Sequence, residues 1–168
     1  MRHGGRTWVV TLTLLAGVLA ALPAASQTVL LVVRENVDSS ALPPPLPVRE
    51  GVSDGLFQAG VIVLDAPGAA GMPAAAEAAR LARSAGAEVV LEIAAAWSDT
   101  RLGADLLRMS ARAAWTVFDA ESGRPLGSGT AEATNRDREK DVDRLALGGE
   151  IGRKVADEVK QLLDRRGS

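Results

Sequence analysis

Apolar residues recur along this chain in two periods, and the switch between them lays out its elements. Thr28-Val29-Leu30-Leu31-Val32-Val33-Arg34 is a β-branched run of strand length. Pro47 suits a first helical turn, and Val48, Val52, Leu56 and Ala59 follow at helical spacing with Gly60 as the stop. Val61-Ile62-Val63-Leu64 is a short, fully apolar strand. Pro73 opens an alanine-rich helix that runs through Ala82 and is stopped by Gly86, and Glu88 to Ala94 makes a third strand. Strands separated by helices imply parallel pairing with right-handed crossovers.

The period then changes. Met109, Ala111, Ala113, Trp115 and Val117 alternate with Arg108, Ser110, Arg112, Ala114 and Thr116, which predicts a half-buried antiparallel strand. Glu121 to Pro125 reads as a turn, and Leu126 to Thr134 returns as the hairpin partner. Val142, Leu145, Ile151, Val155, Val159 and Leu162 form one face of a closing helix. Gly148-Gly149 weakens its front by about 1 kcal/mol per glycine, so a frayed or kinked start is expected. The fold class is therefore α/β (α+β): a mixed sheet of about five strands in the order β-α-β-α-β-β-β-α, with helices packed against it. Ala41-Leu42-Pro43-Pro44-Pro45-Leu46-Pro47 suits neither strand nor helix interior and reads as an extended connector.

Residues 1–26 read as a cleavable signal peptide. Arg2 and Arg6 precede an apolar stretch from Trp8 to Leu22; Pro23 breaks it, and Ala24-Ala25-Ser26 supplies the small residues of a cleavage site before Gln27. The stretch falls short of the about 20 residues a membrane span needs. No cysteine follows the cut to carry a lipid. The expected product is one domain, residues 27–168, soluble in the periplasm or secreted, with no membrane span.

That product contains no histidine, cysteine or tyrosine, since His3 is the only histidine of the chain. Its 19 basic and 21 acidic residues become 17 against 21 once Arg2 and Arg6 are removed, a net charge of −4. An acidic balance argues against nucleic acid as a partner, because phosphate binding needs concentrated positive charge. Only Phe57, Trp97, Trp115 and Phe118 remain as large rings, too few for a stacking platform.

The motifs that suggest chemistry lack their context. Gly51-Val52-Ser53-Asp54-Gly55 matches the nucleophile-elbow pattern, but that elbow needs a preceding strand and a histidine base. No S-x-x-K spacing offers Lys140, Lys154 or Lys160 as a substitute. The match reads as a helix with two surface glycines. Asp137 to Asp143 alternates acids like a calcium loop, yet Val142 and Gly148 stand where the loop needs glycine and glutamate. The segment reads as a connector capping the last helix, with Asp141 as N-cap. Glu88 and Glu92 share one face of their strand and are expected to be half-exposed. No catalytic residue, metal site or cofactor is assigned. Trp97 and Trp115 are expected to meet where the third and fourth strands pair. The polar tip between those strands, with Trp97, Asp99, Arg101 and Asp105, is the candidate partner-binding loop, because binding residues concentrate on loops.

The element order, together with the hairpin from Val117-Phe118-Asp119 through Ser122-Gly123 and Leu126 to Ser128-Gly129-Thr130, resembles small exported α/β domains. These are the domains of the TolB N-terminal, curli-secretion CsgG and LpoB type. Glu50 to Gly60 leading into Val61-Ile62-Val63-Leu64-Asp65 also suits them. The resemblance covers most of residues 28–165 and implies fold, compartment and binding of other envelope proteins, with no site residue mapping across. The expected function is a non-catalytic periplasmic binding or assembly module acting through a sheet edge or the 97–107 loop. The alternatives are a carboxylate- or serine-based hydrolase, with a pocket holding Glu88, Glu92 or Ser53, and a small-ligand sensor.

Overall fold

The computed structural model describes residues 27–36, 47–66, 74–101, 107–135 and 143–167. Residues 1–26 with the expected cleavage site, the proline-rich connector, Asp105 and the acidic segment before Asp143 lie outside them. Eight elements follow in order: β1 (Thr28–Asn36), α1 (Pro47–Gln58), β2 (Ile62–Asp65), α2 (Ala75–Ala85), β3 (Val89–Arg101), β4 (Leu107–Asp119), β5 (Pro125–Thr134) and α3 (Arg144–Gly167). They build one five-stranded sheet ordered β2-β1-β3-β4-β5. β1 pairs in parallel with β2 and β3, while β3–β4 and β4–β5 are antiparallel. The α/β class and the mixed sheet are as the periodicity predicts.

The strands are apolar on both faces where helices cover both. Val29, Leu31, Val89, Leu91, Ile93, Ala113 and Val117 turn to one face, where Val48, Val52 and Leu56 of α1 and Ile151, Val155 and Val159 of α3 close over them. Leu30, Val32 and Val90 turn to the other, where Ala78 and Ala82 of α2 form a smaller core. Because α2 spans only 11 residues, the outer part of that second face stays open: Ala96, Ser98, Arg112, Ala114, Thr130, Glu132 and Thr134 are exposed.

Glycines set the packing of α1 on α3. Gly51, Gly148 and Gly152 are buried. A Cβ on Gly152 would fall 2.5 Å from the Gly51 Cα and the Val52 nitrogen, and one on Gly51 would fall 2.8 Å from the Gly149 Cα. One on Gly55 would meet the Ala156 Cβ at 2.7 Å. Backbone therefore lies directly on backbone, which only a residue without Cβ permits. This corrects two expectations. Gly51 and Gly55 are not surface glycines of a solvated helix but contact points, and α3 runs as one helix through Gly148 and Gly149 because Pro47 and Gly51 pack against them.

Other departures are local. Leu145 is 53% exposed, and Leu147, Ala156 and Leu163 complete the buried face instead. Asp143 caps α3, its Oδ1 accepting the N–H groups of Leu145 at 2.9 Å and Ala146 at 3.1 Å. α2 begins at Ala75 rather than Pro73 and ends at Gly86, which is left-handed. Trp97 sits opposite Ala111 whereas Trp115 sits opposite Ile93, so the two tryptophans are not cross-strand partners.

Candidate interaction surface

β3 continues past the end of the expected strand to Arg101, and its pairing with β4 holds through Arg101↔Leu107. β1 ends at Asn36, opposite Ala96, and β5 ends at Thr134, opposite Ser110. Beyond those points, among the described residues, β3 and β4 continue as a two-stranded ribbon. Trp97, Asp99 and Arg101 therefore stand on β3 in regular register with Ala111, Met109 and Leu107, not on a loop. The loop reading failed because Ser98-Asp99-Thr100-Arg101 has no apolar face. The strand is carried there by its pairing with β4, whose Met109 opposite Asp99 is buried with the larger core.

The root of this ribbon is fastened by a residue that sequence reasoning missed. Glu35, at the end of β1, accepts the Arg49 N–H on Oε1 at 2.9 Å and the Trp97 indole N–H on Oε2 at 3.2 Å. One carboxylate thus satisfies an open amide at the start of α1 and anchors Trp97 of β3. Burial raises the Glu35 pKa, opposed by the hydrogen bonds from Arg49, Trp97 and Val48. No local spacing signals such a cap, because its partners lie 14 and 62 positions away.

On the open face, Ala96, Ser98, Ser110, Arg112, Glu132 and Thr134 line a shallow groove of about 330 Å³. Ser98 and Ser110 share a hydrogen bond of 2.7 Å, and Arg112 pairs with Glu132 at 3.2 Å. These hydroxyls and methyls offer a flat, weakly charged surface. At the centre of the same face, Glu92 is half-buried; its Oε1 has no hydrogen-bond partner, and burial raises its pKa. Across the sheet, Trp115 Nε1 donates to Glu158 of α3 at 2.9 Å while its ring lies on Gly129, where a Cβ would fall 2.6 Å from the indole. That contact explains the glycine of the Ser-Gly-Thr hairpin sequence.

The residues of the hydrolase reading are not brought together. Ser53 lines an open cleft of about 450 Å³ with Arg49, Glu50, Asp54 and Asp65, in which Arg49 pairs with Asp65 at 2.9 Å. Glu92 lies on the opposite face of the sheet, and Glu88 is exposed just before β3. Lys154 and Lys160 pair with Glu150 and Asp164 along α3. Among the described residues no cluster of acids, histidines or cysteines has metal-binding geometry, and no helix is long and apolar enough to cross a membrane.

No family model matches the chain, and no curated protein does. Solved structures do. The PelC dodecamer of Paraburkholderia phytofirmans superposes with a TM-score of 0.61 at 19% identity, covering 82% of this chain and 86% of that one. The hypothetical protein CT253 of Chlamydia trachomatis gives 0.59 at 17% identity, covering 83% and 98%. Protein XCC0632 of Xanthomonas campestris, of family DUF330, gives 0.53 at 11% identity, covering 86% and 91%. At these identities the likeness is one of fold. It extends over more than four-fifths of each chain and is consistent with the expected α/β domain.

Proposed function

We propose that this chain is a non-catalytic, exported module that binds and assembles other cell-envelope proteins, working in the periplasm after its leader is removed. The observation that carries the reading is the β3–β4 ribbon: Trp97, Asp99 and Arg101 lie on a regular projection whose root is fixed by Glu35. A strand pair in regular register suits recognition of a surface, since little backbone ordering entropy is then lost on contact. The fold it shares with PelC, a protein crystallised as a dodecamer, supports a role in assembly. The scattering of Ser53, Glu88 and Glu92 over separate surfaces favours association over hydrolysis.

The test is site-specific photocrosslinking from positions 99 and 101 in intact envelopes. The expected result is one or a few discrete protein adducts, absent when the probe sits at Glu77 on α2. Adducts equally diffuse from all three positions would overturn the reading. N-terminal sequencing of the exported protein tests the compartment: the first residue is expected to be Gln27, and recovery of Met1 contradicts it.

A further inference from the structure

Among the described residues β5 is an edge strand, with a readable pattern of outward-facing peptide groups. The Asn135 N–H donates to the Met109 carbonyl at 3.0 Å. Antiparallel pairing alternates, so Gly127, Gly129, Ala131 and Ala133 also turn their peptide groups to β4. Ser128, Thr130, Glu132 and Thr134 then direct their N–H and C=O groups away from the sheet. The Lys154 ammonium confirms this parity by donating to the Glu132 carbonyl at 3.0 Å from outside. The register is regular from Gly127 to Thr134, the irregularity being confined to the Val117/Phe118 step. The opposite edge, β2, has only four residues, too few for a stable added strand.

Building on the assembly reading above, we infer that the occupant of this edge is β5 of a second copy, paired antiparallel about a two-fold axis at Thr130. Such pairing demands a self-complementary row. About Thr130 the row is so: threonine meets threonine, and each Glu132 meets a Ser128, so no like charges oppose one another. On the helix side Gly129 would oppose Ala131, both too small to obstruct close approach. A long cationic side chain at an edge is a common guard against strand addition. Lys154 is that guard here: it must release the Glu132 carbonyl, keeping its 2.8 Å pair with Glu150, before the second strand docks.

The chain has no cysteine, so single substitutions read the register directly. In the hydrogen-bonded pair at the axis the two Thr130 Cα atoms would lie about 5.5 Å apart, within disulfide reach. The two Thr134 positions would lie roughly 27 Å apart at strand rise. Mild oxidation of purified Thr130→Cys is expected to give mostly covalent dimer, and Thr134→Cys mostly monomer. Equal crosslinking at both positions, or none at either, would overturn the proposal. Thr130→Pro removes an outward N–H without touching the β4 ladder. It is expected to weaken self-association at least tenfold in sedimentation at unchanged circular dichroism, while Lys154→Ala strengthens it; unchanged association in both contradicts the proposal. If a photoprobe at Thr130 captures a different envelope protein and no second copy, self-pairing is wrong although the envelope-module reading survives.

Discussion

Gly152 has no room for a methyl group, and Gly149, three residues earlier on α3, has plenty. The nearest atom to a Cβ at Gly149 is the Arg153 Nη1 at 3.6 Å, against 2.5 Å to Gly51 backbone at Gly152. Gly152→Ala is therefore expected to destabilise by about 2–3 kcal/mol or more, as overpacking does. Gly149→Ala should stabilise by about 1 kcal/mol through helix propensity. Urea unfolding of the two variants checks the contrast; equal effects would mean α1 and α3 are not in backbone contact. Titration offers a second contrast. Glu92, with its pKa raised by burial, binds its proton more tightly in the folded chain than in the unfolded one. Its contribution to stability is thus present below the ordinary value of 4.5 and lost as pH rises through the raised one. Asp119 is opposite in sign. Hydrogen bonds from Ser122, then the charge of Arg166, hold it below 3.8, so its contribution is present above that value and lost as pH falls through the lowered one. Glu92→Gln should raise the melting temperature near pH 7 and not below pH 4, whereas Asp119→Asn should lower it near pH 7 and converge with wild type in acid. Glycines that read as weak spots are contact points here, because a sequence pattern reports propensity but not which backbone will approach.

Among the elements, those whose signals are local were legible. Gly60 ends α1 as its position suggests, at φ 79°, with the Val61 N–H returning to the Leu56 carbonyl at 3.0 Å. Gly60→Ala is expected to cost about 1–2 kcal/mol, the penalty for a side chain in left-handed backbone, measured by thermal unfolding. Asp143 caps α3 where the sequence favours Asp141, since the four acids at alternate positions 137, 139, 141 and 143 offer similar chemistry. Asp143→Ala is expected to cost about 1 kcal/mol, with no comparable loss from a surface acid such as Asp157→Ala. The end of β3 was hidden for a different reason. Hydrophobic alternation reports burial on one face, and Ser98 to Arg101 pair with β4 past the described ends of β1 and β5. Strand pairing there is visible only in the register.

For the whole molecule, element order alone implied the mixed sheet, because strand–helix–strand units and a hairpin combine in few ways. What order does not convey is that the β3–β4 ribbon outruns its neighbours, or that Glu35 joins β1, α1 and Trp97 into one support for it. Those features concern distant parts of the chain and decide the candidate surface. Under the proposed function this projection, and the sheet carrying it, work by association. Size measurement of the protein released from native envelopes in mild detergent tests it most directly. A particle larger than one chain, whose size falls when Trp97, Asp99 and Arg101 are replaced together in a protein that remains folded, is the predicted result; a single free chain in that extract would contradict it.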